Sequence, residues 1–244
     1  MKRGQVTLYV IIAIMIVSAV GIIVYTQREA IKVTLTPVPR DIKPIYSEIE
    51  SCLKTTAENG LYLIGMQGGY ASLPGNSFET VFAFIGYGYY NGQKTLPSLK
   101  QIENELNNYI ELMLPQCVDF SAWPELEVTQ GDIKAKSAIL DDFVTVDVEW
   151  PLTFKRETTY QLKTFSTRVN VRLGKIYNIT DKIVSGEVSD SEMVDLSYFI
   201  DVGEKENMTI SMLPFNNTIV YSIKSENSII DNKSYMWFFA NKFL

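Results

Sequence analysis

Val6-Thr-Leu-Tyr-Val-Ile-Ile-Ala-Ile-Met-Ile-Val-Ser-Ala-Val-Gly-Ile-Ile-Val-Tyr25 is a run of twenty residues without a charge, and it divides the chain into a short head and a long remainder. As a helix rising about 1.5 Å per residue it covers about 30 Å, the hydrocarbon thickness of a bilayer. Its many β-branched residues cost little in a membrane, where every backbone group is bonded within the helix. Tyr9 and Tyr25 stand near the two ends, where aromatic rings favour the interface, and Lys2 and Arg3 mark the amino end as cytoplasmic. The apolar region of a cleaved secretory signal is shorter, about 7–15 residues, and Tyr25-Thr26-Gln27-Arg28 is not a small-x-small cleavage site. No GxxxG motif calls for tight pairing of isolated helices. The expectation is a leader and a single transmembrane helix over 1–27, in contact with lipid through 6–25, with the bulk of the chain extracellular.

Composition narrows what the remainder can do. The chain has 244 residues, 46% of them apolar and 20% charged, enough for a real core. It has no histidine, which removes the commonest general base, every Ser-His-Asp or Cys-His pair and all His-containing zinc sites. Two cysteines are too few for a Cys-only zinc site. All 28 acidic residues but only 20 of the 22 basic ones follow the apolar run, so the outer part carries −8. That balance disfavours nucleic acid, whose phosphates need a basic stripe.

Pro37, Pro39 and Pro44 make 28–44 a Pro-rich linker that holds the domain off the bilayer. From 45 to 244 the patterns predict an extracellular α+β domain with helices and antiparallel sheet, and a two-lobed version would divide near Trp123-Pro124. Ile45, Ile49, Cys52, Leu53, Leu61 and Ile64 have helical spacing, and this helix ends near Gly68-Gly69. Val81 to Tyr90 reads as a strand entering an Asn91-Gly92 turn. Leu99, Ile102, Leu106, Tyr109, Ile110 and Met113 mark a second helix, closed by Pro115. Cys52 sits within the first of these helices and Cys117 just past the end of the second, and an oxidising outer face favours a bridge between them over two separately buried thiols.

Further along, apolar residues alternate through Leu126, Val128, Ile133, Ala135, Val144, Val146, Val148 and Trp150, an antiparallel meander with one wet face. Gln130-Gly131 and Asp141-Asp142 are read as its turns. Phe165, Val169 and Val171 continue it. A helix follows near Leu173 to Ile183, and a second is expected to open at the capping box Ser189-Asp-Ser-Glu192. Strands return at Met208 to Leu213, Asn217 to Lys224 and Tyr235 to Phe243.

Candidate chemistry is sparse. Asp141-Asp142, or Asp147 with Glu149, would suit a carboxylate enzyme or calcium, but a turn and a wet strand face account for them more simply. Gly86-x-Gly88 lacks the rest of a dinucleotide fingerprint. Tyr87, Tyr89 and Tyr90 are candidates for a carbohydrate or protein contact, with sheet packing the commoner use. Asn178, Asn207, Asn216 and Asn232 each begin an N-x-Ser/Thr sequon, a candidate glycosylation site on an outward-facing domain. No cofactor, metal or catalytic residue is expected.

Lys2-Arg3-Gly4-Gln5-Val6-Thr7-Leu8-Tyr9 resembles the class III signal peptide of archaeal type IV pilin-like proteins, in which a short basic leader ends in a small residue before Gln and the hydrophobic helix. The resemblance covers about the first 25 residues; Tyr9 stands where the fuller pattern has Glu. It implies that a prepilin peptidase cuts between Gly4 and Gln5 and that the helix, relieved of Lys2 and Arg3, can leave the bilayer for a filament core. Two non-enzymatic readings stay open: a pilin-like subunit that self-assembles, and a permanently anchored binding module, which calls for an exposed apolar patch around Tyr87 to Tyr90. The carboxylate enzyme is a third.

Overall fold

The computed structural model describes residues 40–81, 83–189 and 194–243. The predicted leader, the apolar run and residues 28–39 of the linker lie outside the described residues; the last five linker residues are not an extended spacer but helical, a 3-10 turn (Arg40–Ile42) leading into the helix that starts at Lys43, whose first turn tolerates Pro44. Among the described residues no helix is long and apolar enough to cross a membrane. Ile42–Leu244 form one compact unit of the α+β class.

Helix α1 (Lys43–Met66) follows from its spacing: Ile45, Ile49, Leu53, Ala57, Leu61 and Ile64 form one buried stripe, and Pro44 sits in the first turn, where its missing N–H is not needed. Helix α2 (Leu99–Cys117) starts with a capping box in which Ser98 and Gln101 each bond the other's backbone N–H. Pro115 does not close this helix as expected. It lies inside the last turn, where its ring costs one backbone bond, and the chain stays helical to Cys117 around buried Leu114. Cys52 and Cys117 form a disulfide, with Cα atoms 5.7 Å apart, and it staples α1 to α2.

The strands form two sheets. In the first, β1 (Ser77–Glu79), β2 (Phe84–Tyr90), β10 (Lys233–Lys242), β9 (Thr218–Ile230) and β8 (Met208–Phe215) are bonded in that order, with β3 (Gln93–Lys94) also on β2. All pairs are antiparallel except β2 with β10. The two-residue turns Asn91-Gly92 and Asp231-Asn232 have positive φ at both positions, as type I′ hairpin turns require, while the third, Asn216-Asn217, has it only at Asn216.

The second sheet centres on β6 (Val144–Lys155), where Val144, Val146, Val148 and Trp150 are buried in alternation. Strand β7 (Thr159–Val169) pairs along the length of β6 on one side. Strands β4 (Glu127–Gln130) and β5 (Lys134–Ile139) must therefore share its other edge, and they lie end to end along it. Gln130-Gly131 is thus not a reversal. It is a break in one long strand, where the Gly131 N–H bonds the Pro151 carbonyl at 2.7 Å beside a register shift in β6.

Helix α3 (Leu173–Ser189) and helix α4 (Leu196–Glu206) complete the domain. The capping box expected at Ser189 does not open α4: Ser189 is the last residue of α3, and Asp195 caps α4 by accepting the Tyr198 N–H at 3.0 Å. The nearer acceptor wins because a cap bonds two or three residues ahead. Arg172 joins these parts: its guanidinium bonds Glu206, at the end of α4, and lies 3.6 Å from Asp142 in the β5–β6 turn.

Candidate interaction surface

One face of the first sheet is covered by helices. Tyr235 reaches across to donate its hydroxyl hydrogen to the Leu61 carbonyl of α1, and Trp237 and Phe239 on the same face of β10 are fully buried. Gly88 faces α3 there; a Cβ would come within 2.8 Å of Val184. Also on this face, buried Glu187 of α3 accepts from Tyr221 and from Asn241 Nδ2, while Asn241 Oδ1 accepts the Tyr89 N–H. Burial without a cation pushes the Glu187 carboxyl up from its ordinary range.

The other face carries a small apolar cluster. Leu213, Val220, Ala240 and Tyr87 lie in register across β8, β9, β10 and β2. Phe78 of β1 and Phe215 of β8 have ring centroids 5.1 Å apart, although four strand spacings of about 4.8 Å separate β1 from β8 in the bonded order. The strand order therefore wraps over this face, closing Ile85, Tyr87, Val220 and Ala240 beneath Phe78 and Phe238.

What remains open gathers around β8. Met212, Leu213 and Phe215 are 42%, 58% and 40% exposed, and α4, packed against β8, adds Leu196 and Ile200 one turn apart at 53% and 64%. The two-residue turn after β8 closes on Phe215 and Thr218, which bond one another in such a hairpin, so alternation aims the Pro214 nitrogen at the open edge. Proline has no hydrogen to offer a further strand. The edge is thus shielded from strand addition while its side chains stay apolar and accessible.

The sequence candidates distribute as follows. Gly4 and Gln5 lie outside the described residues. Tyr87 and Tyr89 are buried and Tyr90 is half-buried, its ring 5.0 Å from that of Tyr87; the aromatic run packs the sheet and offers no contact patch. Asn178, Asn207, Asn216 and Asn232 are all exposed, Asn178 on α3 and the other three at left-handed turn or cap positions. Asp142 pairs with Lys175 at 3.2 Å, and Glu149 with Lys163 at 3.0 Å. A pocket of about 580 Å³ between α3 and α4 is lined by Asp181, Glu187 and Asp195, yet each has other work: Asp181 pairs with Lys94 at 2.6 Å, Glu187 bonds Tyr221 and Asn241, and Asp195 caps α4. Among the described residues no three His, Cys, Asp or Glu side chains gather as a metal site. The β8 surface was not foreseen; its one local sign is Pro214 inside an apolar strand, which marks an edge.

No known family, curated protein or solved structure matches the chain.

Proposed function

We propose that this protein is a non-enzymatic cell-surface subunit of the type IV pilin-like kind, whose N-terminal apolar helix anchors it in the membrane and then packs in a filament core. The observation that carries the reading is the charge-free run of 6–25 directly behind Lys2-Arg3-Gly4-Gln5. The Cys52–Cys117 bridge supports it, since disulfides persist on the oxidising side of a membrane. In this role the outer domain needs stability and a controlled surface more than a reaction centre. The carboxylates of the α3–α4 pocket, each engaged in a structural bond, agree with that role.

Mass spectrometry of the native protein tests the reading. A mature chain beginning at Gln5 supports it. An intact Met1 in the membrane fraction overturns it in favour of the permanently anchored binding module, for which the β8 surface is the available contact region.

A further inference from the structure

The exposed β8 strand lies between two sequons. Asn207-Met-Thr209 begins at the residue before the strand, and Asn216-Asn-Thr218 at the residue after it. Both asparagines are exposed and held at positive φ, 52° and 50°, at the cap of α4 and in the β8–β9 turn. Between them run five consecutive exposed residues, Ser211 to Phe215, three of them large and apolar. At about 3.3 Å per residue the nine steps between the two attachment points put them about 30 Å apart, at opposite ends of the same apolar edge.

We propose that N-linked glycans at Asn207 and Asn216 cover this edge, making β8 a shielded surface and not a docking site. The proposal rests on the extracellular placement above. In the transfer, the side-chain nitrogen of Asn bonds C1 of a lipid-phosphate-linked oligosaccharide, the C1–O bond to phosphate breaks, the lipid phosphate leaves, and the amide gives up one proton. Asn207 can take this bond without losing its place, because its amide spends only one hydrogen, on Asn227 Oδ1 at 3.1 Å. Thr209 is exposed, so that sequon stays open in the folded domain. Thr218 is buried, so Asn216 must be modified before β9 docks. Sugars at both ends hydrate the edge sterically, and Pro214 denies a strand to any chain that passes them.

The test begins with protease shaving of intact native cells, which releases the outer domain only if it is extracellular. Peptide mass mapping of the released material is expected to show added glycan mass on the Asn207 and Asn216 peptides. A T209A/N216D double variant keeps both left-handed asparagine-type positions, and its shaved outer domain, freed of the assembling helix, should lose both masses and shift in gel filtration toward self-associated species while its thermal unfolding stays cooperative. Surface-released peptides without glycan at both sites overturn the proposal and leave the extracellular placement standing. Unreleased, unmodified protein overturns both. A double variant that stays monomeric overturns the shielding role.

Discussion

The side-chain oxygen of Asn107 accepts the backbone N–H of Ser137 at 2.7 Å. It is the middle of a row: Glu111 takes the Ala135 N–H at 2.8 Å and Glu103 the Ile139 N–H at 3.1 Å. Four residues of helix rise about 6 Å and two residues of strand about 6.6 Å, so one turn of α2 keeps step with every outward N–H of β5. A helix surface thus completes the edge of a sheet, removing the free donors that would invite another strand. Truncating Asn107 to Ala leaves the Ser137 N–H, itself buried, without a partner. The expected cost is about 1–3 kcal/mol of unfolding free energy, read by denaturant titration; an unchanged midpoint would contradict this role.

Removal of the Cys52–Cys117 bridge frees a loop of 65 residues in the unfolded chain. The chain-entropy estimate gives about 4 kcal/mol. Cys117 is exposed, so a reductant reaches the bond without prior unfolding. Thermal melts with and without dithiothreitol should differ by many degrees, and coincident melts would show that the α1–α2 packing needs no staple.

Stability should fall as pH rises through the range in which Glu187 ionises. Its carboxyl titrates above the ordinary value of 4.5 in the folded state, chiefly through desolvation. The folded protein therefore holds this proton more tightly than the unfolded chain does. The associated stability is complete below about 4.5 and is lost as pH climbs through the raised value. The E187Q variant should flatten that part of the profile of unfolding free energy against pH; a slope identical to wild type would assign the dependence elsewhere.

Gly65 lies where α1 crosses β10. A Cβ there would stand 2.3 Å from the Met236 carbonyl oxygen, a backbone atom that cannot step aside cheaply. Alanine gains about 1 kcal/mol of helix propensity, but overpacking against backbone outweighs it. Gly65→Ala is expected to lower the melting temperature, and a stabilised variant would show that α1 can shift outward.

Much of the fold was legible because the code for it is local. The stripe from Ile45 to Ile64 and the alternation from Val144 to Trp150 each reveal one buried face. Asn91-Gly92 shows a reversal by its own chemistry. Long-range pairing has no such signature: β2 leaves its hairpin to run parallel to β10, joined through Tyr89 and Asn241, 152 positions apart. The end-to-end placement of β4 and β5 escaped for the same reason, since Gly131 marks a break without saying whether the chain turns. Tyr87 and Tyr89 were ambiguous because an aromatic run does not say which rings the rest of the chain covers. The exposure of Met212, Leu213 and Phe215 depends on β8 being last in the bonded order, and only Pro214 hints at that.

Electron microscopy of material sheared from the cell surface tests the central claim most directly. The account predicts helical filaments that contain this chain with Gln5 as the first residue. A surface fraction without filaments, together with full-length chain retained in the membrane by an uncut leader, would contradict it.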